Sequence, residues 1–187
     1  MPRTADELRA ILKAYHQVMA ASWPDLHKDM GRRASSWTTA SAEALESELN
    51  GYVQASSRPD SQVRLFWKLL PGFTFAGCNA QFVRDTGLSA EELIGSNDLD
   101  RRLPWVRQAA KYRADDEAIV ASGAAQLNII ERQQGTTGDI TWVRVGKAPI
   151  RAPSGIIGLL GMYELLDAQE GRRLFAEQNK RNLMRPS

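Results

Sequence analysis

Gly77-Cys78-Asn79-Ala80-Gln81-Phe82, followed by Gly87-Leu88-Ser89-Ala90-Glu91-Glu92-Leu93-Ile94-Gly95-Ser96-Asn97-Asp98-Leu99, is the run that decides the fold. Asn79 is placed to cap a short helix over Ala80 to Arg84. Ser89 with Glu92 three residues on is a capping box that opens another turn, stopped at Gly95. Upstream, Leu65-Phe66-Trp67-Lys68-Leu69-Leu70 and Phe73-Thr74-Phe75-Ala76 read as two strands joined by the turn Pro71-Gly72. Downstream, the spacing predicts a helix from Pro104 to Ser122-Gly123 with Trp105, Ala109, Tyr112, Ile119 and Val120 on its buried side. Three strand-like runs follow: Gln126 to Gln133, Ile140 to Ile150 and Gly155 to Leu165. Turns at Gly135-Thr136-Thr137-Gly138-Asp139 and Ala152-Pro153-Ser154-Gly155 separate them. The order gives an α+β domain: a five-stranded antiparallel sheet, helices on one face, and room for a pocket between.

These fragments, in this order, resemble a PAS domain over about a hundred residues from Arg64 to Asp167. Cys78-Asn79-Ala80-Gln81-Phe82 resembles the family's N-x-x-F helix entry, and Gly87 through Gly95 its G-x-S-x-E-E-L-I-G segment. Trp142, Lys147-Ala148-Pro149-Ile150 and Gly155-Ile156-Ile157-Gly158-Leu159-Leu160-Gly161 resemble its last two strands. The family's strand-ending D-I-T is replaced by Glu164-Leu165-Leu166 with Asp167 following, so the threonine of the helix connection is lost. The resemblance implies a sensory module of a signal transduction protein, such as a two-component system. It would bind a small molecule or partner and relay its state through a homodimer to an output domain of histidine kinase or diguanylate cyclase type. No such output domain is in this chain. Two other readings stand beside it: a ligand-free protein-interaction module, and a small enzyme on a cone-shaped α+β fold. The last lacks a histidine or a nucleophile-base spacing in the core, so no catalytic residue is assigned.

Flanking this unit (62–167) are an N-terminal extension (1–61) and a C-terminal segment (168–187). Thr4 and Glu7 form a capping box, after which Leu8, Ile11, Leu12, Tyr15, Val18 and Met19 recur on one helical face. A Ser-rich interval, Gly31 to Ser41, leads to a second stripe of Leu45, Leu49, Tyr52 and Val53, ended by Ser56-Ser57-Arg58-Pro59-Asp60. Both stripes could simply cover the core, but the first is also wide enough for a partner helix, and Leu8, Ile11, Leu12, Tyr15, Val18 and Met19 are the residues expected to carry the homodimer. After Asp167, a plausible cap, Arg172 to Gln178 is helix-compatible, as a signalling helix or linker requires.

Composition bounds the partners. With 187 residues, 43% hydrophobic and 25% charged, the chain suits one domain plus extensions. A formal net charge of +2 gives no general attraction to nucleic acid or membrane. The basic runs Gly31-Arg32-Arg33 and Arg172-Arg173 read as solvated surface. One cysteine, no Cys/His metal spacing, no signal core and no membrane span lead to the expectation of a cytoplasmic protein without a metal.

For a ligand, Lys147 stands out: a cation in an apolar strand needs a counter-ion, a polar ligand or an exit to solvent, and alternation alone leaves its face open. Asn79, Tyr112 and Arg113 are the groups expected to join it, with Trp67, Trp105 and Trp142 as flat walls suited to a non-covalent flavin or a small metabolite. A cysteine-flavin photocycle is disfavoured, because Ala80 follows Asn79 where light-sensing relatives carry the reactive thiol, and Cys78 lies on the other side. Haem is disfavoured because both histidines, His16 and His27, fall in the N-terminal extension. Asp115, Asp116 and Glu117 read as a solvated helix face with Lys111 as an intrahelical partner.

Overall fold

Side-chain caps fix most helix starts. In the computed structural model, which describes residues 2–24, 33–134 and 138–184, the Thr4/Glu7 and Ser89/Glu92 capping boxes both form. They open α1 (Ala5–Ser22) and α4 (Ala90–Leu93). Ser41 caps α2 (Ala42–Ser56), Asn79 caps α3 (Ala80–Thr86), and Asp167 caps α6 (Ala168–Leu183) through the amides of Gln169 and Glu170. The exception is α5 (Ala109–Ser122), which starts five residues later than Pro104 predicts. Val106 N–H bonds Leu103 O and Gln108 N–H bonds Trp105 O, so this stretch is spent on tight three-residue turns before the α-helix begins.

The strands are β1 (Val63–Leu69), β2 (Thr74–Cys78), β3 (Gln126–Gln134), β4 (Ile140–Ala152) and β5 (Gly155–Leu166). They form one antiparallel sheet in the order β2-β1-β5-β4-β3, matching the expected α+β class. The turn expected at 135–139 lies partly, and His27 and Gly31-Arg32 lie wholly, outside the described residues. Among the described residues, no helix is long and apolar enough to cross a membrane.

Strand alternation divides the buried residues into two cores. On the inner face, Phe66, Phe75, Val143, Val145, Leu159 and Tyr163 pack with Phe82, Leu93, Leu103 and Trp105. On the outer face, Leu65, Trp67, Ala148, Ile150, Leu160 and Met162 pack against α1 and α2. Leu8, Ile11, Leu12, Tyr15, Val18 and Met19 all lie in this outer core, none more than 4% exposed. Two uses of that stripe compete, and the chain's own sheet takes it. Each buried aliphatic there is worth about 1.5–3 kcal/mol, so a dimer built on these six would first have to unpack the fold.

Each sheet edge is engaged at one residue by a neighbouring segment. Beyond β2, Gly95 N–H bonds Phe75 O and Phe75 N–H bonds Ser96 O, each at 2.8 Å. Beyond β3, the Gln178 side chain of α6 accepts from Ile130 N–H at 2.8 Å and donates to Ile130 O at 3.0 Å, standing in for a neighbouring strand. The helix also lies on Trp142, whose ring is 5.3 Å from Phe175. At Gly171 a Cβ would meet Trp142 Cβ at 2.2 Å, so only glycine allows that approach.

Candidate functional site

Lys147 on β4 shares the inner face with Val143 and Val145, which settles its direction: it points toward the helices. Its ammonium donates to Asp116 Oδ1 of α5 at 2.7 Å. Asp116 Oδ2 accepts from Lys68 of β1 at 2.7 Å, and Lys68 is also bound to Asp98, in the segment after α4. Trp105 Nε1 completes the chain by donating to Asp98 Oδ1 at 3.3 Å. Asp116 is fully buried and Lys68 is 2% exposed, so four charges are held out of water in a neutral set. Burial by itself would raise the Asp116 carboxyl, yet the two ammonium groups outweigh it and hold it below the usual carboxylate range. Burial likewise opposes the Lys147 charge, and Asp116 overcomes it, leaving the ammonium above its ordinary value. A lysine so held is a hydrogen-bond donor and not an amine nucleophile.

This network borders a cavity of about 50 Å³ between sheet and helices. Phe66, Phe75, Phe82, Trp105, Tyr112 and Tyr163 supply aromatic walls, while Lys68, Lys147, Asp98, Glu131 and Gln133 supply the polar groups. Such a space holds a few waters or a small fragment; pockets for drug-sized ligands run to about 300–1,000 Å³. A chamber of about 220 Å³ adjoins it, shares Trp105, Gln133 and Tyr163, and adds Asp85, Pro104 and Thr141. Tyr163 is anchored there: its hydroxyl donates to Asp85 Oδ2 at 2.6 Å, and Arg64 clamps the same carboxylate at 2.9 and 3.3 Å. Tyr112 donates to Gln108 at 2.6 Å and accepts from Gln133 at 3.2 Å, and burial pushes its hydroxyl up to about 12.

Of the expected ligand residues, Lys147, Trp105 and Tyr112 meet at this cavity, and four lie elsewhere. Trp67 points to the outer face, its ring against Gly77 and under the Arg3 guanidinium. Trp142 also faces outward, beneath α6. Asn79 is spent on the backbone: Oδ1 accepts from Leu65 N–H at 3.0 Å and Phe82 N–H at 3.1 Å, and Nδ2 donates to Val63 O at 2.8 Å and Ser56 O at 3.0 Å. Arg113 donates to Gly72 O at 3.0 Å and lies over the Phe73 ring, pinning the β1–β2 turn. The solvated-face reading holds for Asp115, paired with Lys111 at 2.9 Å, and fails for Asp116, one residue further around the helix.

Lys68, Asp98 and Tyr163 were not anticipated. Lys68 carries the signal applied to Lys147, a cation inside an apolar strand, and two such lysines in one sheet call for buried carboxylates. Cys78 is half-buried at the end of β2, and burial pushes its thiol up to about 11 from 9.0. It should carry about a hundredfold less thiolate than an ordinary thiol near neutral pH. Titration with a disulfide reagent at pH 8 is therefore expected to run about a hundredfold slower on the folded chain than on the unfolded one. His16 packs edge-on to Trp37 on the outer side, 6.0 Å between ring centres. Among the described residues no cluster of His, Cys, Asp or Glu could hold a metal ion.

No family model matches the chain, and a search of curated proteins finds no match. Solved structures do show the architecture. VqmA bound to DPO aligns with a TM-score of 0.52 at 20% identity, over 64% of this chain and 57% of that one. A Vibrio cholerae VqmA complex with ligand and DNA aligns at 0.52 and 22% identity, over 63% and 51%. A light-oxygen-voltage domain studied with a flavin analogue aligns at 0.52 and 15% identity, over 74% of this chain and 98% of that domain. The chain thus spans little more than half of the VqmA structures, and its likeness to all three is one of fold: a PAS-like sheet with helices on its inner face.

Proposed function

We propose that the chain is a sensory module that binds a small, uncharged molecule carrying a carbonyl or similar acceptor in the inner-face cavity. The observation that carries this reading is Lys147: its ammonium has three N–H donors, borders the cavity, and has Asp116 as its only hydrogen-bond partner among the described residues. Both aspartates already have each oxygen engaged, so the network offers a ligand donors. Because the four charges cancel, an anion would bring an uncompensated buried charge, whereas a neutral acceptor would not. The VqmA structure holds DPO and the light-oxygen-voltage domain was studied with a flavin analogue, so pockets of this fold do take small ligands. For this chain the inner cavity favours something much smaller than a flavin.

The relay runs through β4. Lys147 lies on its inner face and Trp142 on its outer face, so a ligand that shifts the strand changes the seat of α6. Gly171→Leu should imitate that change. The added side chain cannot share space with Trp142, while the substitution favours the helix itself by roughly 0.8–1.0 kcal/mol. Hydrogen exchange across 168–183 is expected to lose at least tenfold of its protection while 63–78 keeps its own; unchanged protection in α6 would remove it from the relay.

The module is proposed to act in the cytoplasm, as a homodimer feeding an output domain of kinase, diguanylate cyclase or other regulatory type, without catalysis of its own. With the α1 stripe buried, the dimer would use another surface. The VqmA complex contains DNA, so a nucleic-acid output stands among these types. A second reading, a ligand-free interaction module, is favoured by the small cavity and the mutually satisfied charges. Native mass spectrometry of freshly purified protein separates the two. Sensing predicts an added small mass released on denaturation and reduced in Lys147→Met; a bare chain with an unaltered spectrum in every preparation supports the empty module.

A further inference from the structure

On the α1 side of the sheet, away from the inner cavity, a concavity of about 230 Å³ lies where α1 meets the β4–β5 turn. Arg9 and Lys13, one turn apart on α1, and Arg151 near the end of β4 line it together with Ala10, Ala152 and Pro153, and Asp6 is the single carboxylate of the lining. Three cations against one carboxylate leave two positive charges, equal to the net charge of the whole chain. Like charges four residues apart on a helix oppose each other by a few tenths of a kcal/mol, so helix stability does not account for the pair.

Two of the cations are held in place beforehand. Arg9 Nε donates to Trp37 O at 2.8 Å and Nη1 to Asp6 at 2.6 Å. Arg151 donates to Gly123 O, its guanidinium lying across the end of α5 where Gly123, at φ 65°, has no Cβ to block it. A guanidinium so anchored has further N–H donors for a ligand and little side-chain freedom left to lose. Lys13, exposed, adds a compact charge on a flexible stem.

We propose that this concavity binds the phosphoryl group of a small phosphorylated molecule. A phosphate dianion matches the two surplus charges, and tetrahedral oxygens suit a pair of guanidinium forks better than one carboxylate does. A long polyanion fits less well, because Asp6 and Glu7 both stand in the first turn of α1 beside the site.

The test is calorimetric titration of the full chain with inorganic phosphate and then with phenyl phosphate. Saturable binding is expected, weakened about tenfold by Lys13→Gln or by Arg151→Gln and unchanged by Arg172→Gln, an exposed cation on α6. Binding should also weaken from pH 8 to pH 6 as the phosphate takes up its second proton. Circular dichroism melting confirms that the variants are folded, since both substitutions remove exposed side-chain ends. Equal weakening by Arg172→Gln, or none by the two site variants, overturns the proposal. So does binding only to single-stranded oligonucleotides with affinity that grows with length, which would assign the patch to a nucleic acid.

Discussion

Asp116→Asn is expected to destabilise the chain by about 3–5 kcal/mol, the range for removing one partner of a buried ion pair and leaving the other charge uncompensated. The substitution keeps the shape, but only one acceptor oxygen remains and the amide NH2 turns donors toward the other ammonium, so the loss combines the missing charge with one broken hydrogen bond. Lys147 is left with no carboxylate among its described hydrogen-bond partners, while Lys68 retains Asp98. Urea denaturation of the wild type and variant measures the difference. Combining Asp116→Leu with Lys147→Met removes the two charges together and should recover most of it; no recovery would mean that Asp116 acts through packing alone.

The same pair sets a pH profile. Asp116 is held below its unfolded value, so its contribution is present above about pH 4, the ordinary carboxylate range, and is lost as pH falls through the lower folded value. Lys147 is held above its unfolded value, so its contribution is full below about pH 10 and is lost as pH rises through the higher folded one. Wild-type stability should have a plateau between these limits, and Asp116→Asn should flatten the acid shoulder.

Asn79→Ala comes next, at about 3 kcal/mol. It removes a side chain that is 1% exposed and satisfies buried backbone groups of Val63, Leu65, Phe82 and Ser56, each of which costs about 1–3 kcal/mol when stranded, though not additively. Asn79→Asp should not rescue it. A carboxylate keeps the acceptor for Leu65 and Phe82 but turns its other oxygen toward the carbonyls of Val63 and Ser56. Thermal melting of both variants checks this, and rescue by Asp would mean that the Nδ2 bonds contribute nothing.

Asn79 also shows what the sequence could and could not convey. Its capping role was legible, because a cap depends on residues within one turn, as at Ser89 and Thr4. Its ties to Val63 and Ser56 depend on which segments the fold brings alongside, and no local spacing carries that. The strand runs were legible from alternation and turns, whereas the facing of Trp67 and Trp142 away from the cavity follows only once Lys68 and Lys147, at odd separations on the same strands, are seen to point inward. Asp116 was misread for the same reason: the acidic run on α5 has a half-buried member that pairs with Lys111 and a fully buried one, and only the approach of two lysines from separate strands distinguishes them.

The Gln178 clasp on Ile130 decides what the edge of the sheet would present if α6 lifted away. That amide is what β3 has in place of a sixth strand, and its departure bares a donor and an acceptor spaced to template an extended peptide. A conformation of this kind would be adhesive by construction. Self-association at high concentration would follow from that bared edge, and a chain shortened before Gln178 should aggregate where the full chain stays dispersed.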